Sequence, residues 1–278
     1  MRLLVATITA LLTIACAQAE TVTLAMNSKL EARAEYRVGK PGMPAVLILH
    51  GFLQTHEFPT VHRLAEGLHG EGYTVLAPTL SLGVPHRKQS FACEAIHTHN
   101  FQEDFRELDQ WIKWLQGKGH SSFVAIGHSQ GSAELLAYLL DKPVLPARRF
   151  IAVSIVDVNA SKDGAANRRI EQDLRSRIAR GDHSVVSYPM SYCAHYTGTP
   201  ASVLSYQEWG SERILQALQR LTIPTTLIMG SSDDRLGPNW IEQLQKTGRT
   251  VHVIQGANHF LDGEYEFDLL DLVLADLK

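Results

Sequence analysis

Six short apolar runs, separated by stretches of helical periodicity, constrain this 278-residue chain more than any other feature. They are Ala45 to Leu49, Tyr73 to Ala77, Phe123 to Ile126, Phe150 to Val156, Thr225 to Met229 and Thr250 to Ile254. A strand covered on both faces has no wet side, so it reads as a continuous apolar run rather than an alternation. Between the runs lie helical patterns. Pro59 to Gly70 carries Val61, Leu64 and Leu68, and Asn100 to Gln116 carries Phe101, Phe105, Leu108, Ile112 and Leu115 as one stripe. Asn100 and Glu103 stand at the two positions of a capping box. Further helices are predicted at about Gln130 to Asp141 and Tyr265 to Lys278. Strands alternating with helices predict an α/β fold: a mostly parallel sheet with helices on both faces. Ahead of it, Leu30, Ala32, Ala34 and Tyr36 alternate with charged residues, the second strand of an N-terminal hairpin turning at Asn27-Ser28.

One stretch breaks the alternation. From about residue 159 to 220 the chain is longer than a crossover helix requires, and a structureless insertion of that size is unusual in a compact domain. It is read as a helical cap over the open end of the sheet. It holds a charged helical piece, Asn167 to Arg180, then Tyr188, Met190, Tyr192, His195 and Tyr196. The five arginines from Arg168 to Arg180 are either a solvated helix face or an attraction for an anionic substrate.

Residues 1–19 differ from the rest. One positive charge at Arg2, an uncharged apolar run from Leu3 to Ala15 and small residues at Ala17 and Ala19 read as a secretory signal. The run is too short to serve as a permanent membrane helix. Residues 20–278 then form a single exported domain, periplasmic or extracellular, with no stable membrane insertion after cleavage. A lipoprotein signal ending at Cys16 is the second reading. Without Cys16, two of the three cysteines remain, Cys93 and Cys193, and in an oxidising compartment a lone pair predicts a disulfide. With 45% hydrophobic and 20% charged residues the composition is that of a globular domain, and a net charge of −3 gives no electrostatic reason to expect nucleic acid.

Chemistry concentrates where strands end. Gly127-His128-Ser129-Gln130-Gly131 follows the strand Phe123 to Ile126 and precedes a helix, the setting in which Gly-x-Ser-x-Gly holds an exposed nucleophile on a tight turn. A serine hydroxyl needs a base within hydrogen-bond reach. Of thirteen histidines, His259 lies after the last strand, at the same carboxyl edge as Ser129. An acid must orient that base. Asp233 and Asp234 follow the strand Thr225 to Met229, and Asp157 follows Phe150 to Val156. His50-Gly51-Phe52 follows the first run, where the backbone N–H of Phe52, with that of Gln130, can meet an oxyanion. His97-Thr98-His99 has zinc-ligand spacing but no third ligand at a recognisable distance, so no metal site is read there.

These four elements, in this order, resemble the α/β-hydrolase superfamily over nearly all of residues 21–278, the cap excepted. The resemblance implies an eight-stranded sheet and a triad in chain order Ser129, Asp233, His259, with Asp233 favoured over Asp234 because the family has glycine three residues before its acid. It implies an acyl-enzyme route on a small-molecule acyl substrate, with no cofactor. A carboxylic ester leads; a peptide, thioester or lactone, or a non-catalytic binding role, are the alternatives.

Overall fold

The computed structural model describes residues 19–142, 146–159 and 164–278. The predicted leader, Cys16 included, lies outside them apart from Ala19. Among the described residues no helix is long and apolar enough to cross a membrane.

The N-terminal hairpin comprises β1 (Glu20–Asn27) and β2 (Leu30–Arg37), closed by a two-residue turn in which Lys29 N–H bonds the Asn27 side chain. There follow β3 (Ala45–Leu49), α1 (Pro59–Gly70), β4 (Thr74–Thr79), α2 (Phe101–Gly117), β5 (Phe123–His128), α3 (Gln130–Asp141) and β6 (Ala147–Val153). The remainder comprises α4 (Gly164–Ala179), β7 (Val186–Met190), β8 (Cys193–Gly198), α5 (Pro200–Gln207), α6 (Ser211–Arg220), β9 (Thr225–Gly230), α7 (Trp240–Gln245), β10 (Thr250–Ile254) and α8 (Tyr265–Leu277). Eight strands form one sheet in the order β1-β2-β4-β3-β5-β6-β9-β10, antiparallel across β1-β2-β4 and parallel thereafter.

The apolar runs feed both faces of this sheet. Val46, Ile48, Val124, Ile126, Ile151 and Val153 join the layer of α1 and α8, while Leu47, Leu49, Phe123, Ala125, Phe150 and Ala152 join that of α2, α3 and α6. Each fully buried Val, Leu, Ile or Phe among them contributes about 1.5–3 kcal/mol, so neither face can be given up. The capping box of α2 forms as its residues dictate: Asn100 accepts from the N–H groups of Gln102 and Glu103, and Glu103 accepts from that of Asn100.

Two expectations are corrected. The strand expected at Phe150 to Val156 runs from Ala147 to Val153, because the chain leaves the sheet at Ser154, where φ is +48°. The cap is not simply helical: between α4 and α5 it contains the antiparallel hairpin β7-β8, in which Val186, Tyr188, Tyr196 and Thr197 are strand-favouring residues. Moreover, α6 returns to the sheet layer, burying Ile214, Ala217 and Leu218 in the core it shares with α3. The hairpin tip is fastened by Ser191 N–H to Val158 O at 2.7 Å and by a Cys93–Cys193 disulfide with Cα atoms 5.5 Å apart.

Candidate active site

Parallel register brings the strand ends to one edge. Leu49 pairs with Gly127, His128 with Val153, Val153 with Ile228 and Ile254 with Gly230, so the loops that follow β3, β5, β6, β9 and β10 emerge side by side.

Ser129 sits between β5 and α3 with φ +55° and ψ −124°, a conformation costly for a residue with a side chain. Its flanking glycines permit the turn. A Cβ on Gly131 would lie 2.3 Å from His50 O, and one on Gly127 would lie 2.5 Å from backbone atoms of Ser132. The Ser129 Oγ is 2.8 Å from His259 Nε2, and His259 Nδ1 is 2.7 Å from Asp233 Oδ2. A carboxylate can only accept, so Nδ1 carries the proton and Nε2 is left to accept from the serine hydroxyl. All three residues are buried, with the Asp233 carboxylate fully enclosed. Asp233 Oδ1 accepts from Arg235 N–H at 2.9 Å, which fixes the carboxylate's other oxygen. Asp234 is exposed. Asp157 is committed elsewhere: its carboxylate accepts from Ser211 N–H and Oγ at the start of α6 and from Asn159 N–H.

Phe52 lies in the tight turn Gly51–Gln54, closed by Gln54 N–H to Gly51 O and by Gly51 N–H to Gln54 Oε1. Gln130 begins α3, at the positive end of the helix. Among the described residues neither backbone N–H has a protein acceptor, which leaves both donors free for an oxyanion. The Phe52 ring is enclosed by Tyr192, Tyr196 and Tyr206 at 5.8, 5.5 and 6.1 Å, and Tyr192 OH donates to Phe52 O. The cap hairpin therefore packs directly on the Gly51–Gln54 turn.

Two histidines near the site hold loops. His50 donates Nδ1–H to Gly51 O and accepts Leu80 N–H at Nε2; burial, then the neighbouring Arg87, pulls it down to about 3. His128 donates Nε2–H to His259 O and is likewise pulled down to about 3, by burial and by the charge of His259. Both stay neutral. His97 stacks on Tyr196 at 4.2 Å, and among the described residues no group of three or more His, Cys, Asp or Glu is arranged to hold a metal.

Sequence reasoning missed what lies behind the turn. Arg87 is buried and donates to the carbonyls of Leu53, Gln54, Leu80 and Gln89, pinning the Gly51–Gln54 turn to the loop after β4. Around it are Asp104, Glu107 and Glu134. Burial lifts Asp104 well above the usual carboxylate range, helped by Glu107, and lifts Glu134 similarly, helped by Asp104. Tyr206 OH donates to Asp104 at 2.7 Å, and Ser81 donates twice to Glu107. Three of the five cap arginines are engaged on the cap itself, Arg175 with Glu208, Arg177 with Asp173 and Asp182, and Arg180 with the Ser176 hydroxyl. A depression of about 910 Å³ lined by Phe101, Asp157, Trp209 and Arg213 contains none of Ser129, Asp233 and His259.

Comparison with known proteins gives a consistent picture. A family model described as the alpha/beta hydrolase family matches residues 46–267. The alpha/beta hydrolase GrgF from Penicillium sp. sh18 superposes with a TM-score of 0.70 at 14% identity, covering 94% of this chain and 98% of that one. A monoacylglycerol lipase from Paleococcus ferrophilus gives 0.67 at 18% identity (89% and 98% covered), and the thioesterase domain from the curacin biosynthetic pathway gives 0.63 at 19% (92% and 99%). At such identities these likenesses show the fold. No curated protein matches the chain by sequence.

Proposed function

The chain belongs to the alpha/beta hydrolase family, and from that premise we propose that it is a serine hydrolase that cleaves a carboxylic ester through an acyl-enzyme. The observation that carries this reading is the continuous hydrogen-bonded chain from Ser129 Oγ through His259 to Asp233, on a strained turn. In the proposed reaction His259 takes the serine proton as Ser129 attacks the carbonyl carbon. Asp233 holds the imidazole in the required tautomer and stabilises its positive charge. The N–H groups of Phe52 and Gln130 receive the oxyanion. His259 then returns the proton to the departing alcohol, and a water attacks the acyl-enzyme by the same route in reverse.

The enclosing tyrosines and the mixed cap favour a small or medium acyl group over a long chain. Export is proposed with the activity: the N-terminal apolar run and the Cys93–Cys193 disulfide support an oxidising compartment. The test is labelling by a fluorophosphonate together with turnover of p-nitrophenyl esters of rising chain length, in wild type and Ser129→Ala. The variant should lose labelling and at least ~10³-fold in kcat, as removal of a triad member does, with its melting temperature close to wild type. Labelling without turnover of any ester would redirect the search to peptides, thioesters and lactones; labelling retained by the variant would sink the assignment.

A further inference from the structure

Arg235 stands where it can choose the substrate. It lies two residues beyond Asp233, and its N–H bonds the Asp233 carboxylate, so its Cα is fixed to the triad. Its guanidinium sits 4.7 Å from the centre of the Phe260 ring and 5.6 Å from that of Tyr192. Phe260 follows the base, with its ring 5.3 Å from that of His259. Tyr192 is on the cap and hydrogen-bonds the carbonyl of Phe52, an expected oxyanion donor. The guanidinium therefore spans the two walls of the reaction site, one belonging to the base and one to the oxyanion loop.

The charge at this position is not neutralised. Among the described residues no carboxylate lies within salt-bridge distance of Arg235, whereas Arg37, Arg149, Arg175, Arg177 and Arg213 each pair with at least one. Arg87 and Arg249 instead saturate backbone carbonyls. Two aromatic rings satisfy the face of the guanidinium, its N–H groups have no protein acceptor among the described residues, and that edge matches a carboxylate or phosphate bidentately. The rings also hold the side chain in place, which reduces the entropy lost when a ligand binds. Both walls are rigid. Tyr192 is anchored by its own hydrogen bond and by the disulfide at the next residue, and Phe260 N–H bonds the Asn258 side chain.

We propose that Arg235 is a specificity-determining residue that binds an anionic group on the substrate, making this a hydrolase of negatively charged esters. The proposal rests on the serine-hydrolase reading and adds the substrate class. The anion can come from the acyl part, as in a half-ester of a dicarboxylic acid, or from the alcohol, as in an ester of a hydroxy acid.

Two pairs of esters distinguish these sources. Monoethyl adipate against ethyl hexanoate, followed by pH-stat, places the charge on the acyl side. The butyrate ester of 4-hydroxybenzoate against phenyl butyrate, followed by absorbance, places it on the leaving group. In wild type, one pair should show kcat/KM at least tenfold higher for the charged member, chiefly through KM, and the preference should weaken with added salt. In Arg235→Gln that charged-to-neutral ratio should fall at least tenfold. A ratio that is flat in both pairs, or unchanged by Arg235→Gln, overturns the proposal and leaves Arg235 as a brace between cap and base. A third measurement does not depend on turnover: adipate or 4-hydroxybenzoate should raise the melting temperature of wild type and not of Arg235→Gln. Stabilisation by an anion in a protein that hydrolyses none of the four esters separates failure of the hydrolase reading from failure of this one, and no differential stabilisation in such a protein overturns this one too.

Discussion

Removing the Cys93–Cys193 disulfide, as Cys93→Ala with Cys193→Ala, should lower stability substantially while leaving the fold in place. The two cysteines are 100 residues apart in sequence. Closing a loop of that length restricts the unfolded chain by an entropy equivalent to about 4.7 kcal/mol at 25 °C. The native contacts around the bond survive its loss. His97 N–H still bonds Thr197 O at 2.8 Å, Thr199 N–H bonds His97 O at 3.1 Å, and Thr197 N–H bonds Cys93 O at 3.2 Å. The loop therefore stays on β8 in the folded state, and the change appears as a less costly unfolded state. With a urea m-value of about 3 kcal/mol/M, the midpoint should fall by roughly 1.5 M, with a somewhat steeper slope because the uncrosslinked unfolded chain exposes more surface. Because Cys193 adjoins Tyr192, the variant should also show a raised KM for esters before any loss of kcat. A midpoint shift of less than ~0.3 M, or under about 1 kcal/mol at that slope, would refute the entropic argument. Peptide mapping of the unreduced wild type would then show whether the bond exists at all.

Three further outcomes follow from the same geometry. Asp233→Asn should cut kcat by orders of magnitude, up to ~10⁴-fold where a triad acid is lost, while Asp234→Asn should change it little; steady-state kinetics on one ester decide, and the reverse ranking would move the role to Asp234. Gly131→Ala forces a Cβ to within 2.3 Å of the His50 carbonyl and should yield a protein that melts far below wild type or does not fold, read by circular dichroism. Asp157→Asn weakens the acceptor at the start of α6 and should cost about 1 kcal/mol in chemical denaturation, the usual worth of a helix-capping contact, with kcat retained.

The parts of the fold legible in sequence were those that follow from a single period. The runs at β3, β4, β5, β6 and β9 have apolar residues at successive positions because both sheet faces are covered there, whereas β10, at the sheet edge, buries only Ile254, and α1 and α2 carry an unbroken stripe. Ser129 and His259 were legible because each lies just after such a run, and parallel register brings those positions together without further information. Asp233 and Asp234 could not be separated by spacing on residues alone, since one step along a turn reverses the side-chain direction. The contact that selects Asp233, His259 Nδ1–H to its carboxylate across 26 residues of sequence, is tertiary. The β7-β8 hairpin was hidden because its exposed positions, among them Ser187 and His195, interrupt the apolar pattern and its pairing shifts register between Tyr188 and Met190. Arg87, Asp104, Glu107 and Glu134 were hidden for the opposite reason. Charged residues on an amphipathic helix are assigned to water by pattern, and here the polar side of α2 is buried in part against Arg87 and the cap tyrosines.

That enclosed group of acids alters how the whole molecule behaves in an electric field. The net charge of −3 counts every carboxyl as ionised. Asp104 and Glu134, confined together away from water, retain protons that free carboxyls release. Over the pH range in which they do so the folded protein carries less negative charge than its amino acids suggest, and unfolding it there should release protons, a release that calorimetry in buffers of different ionisation heat would read.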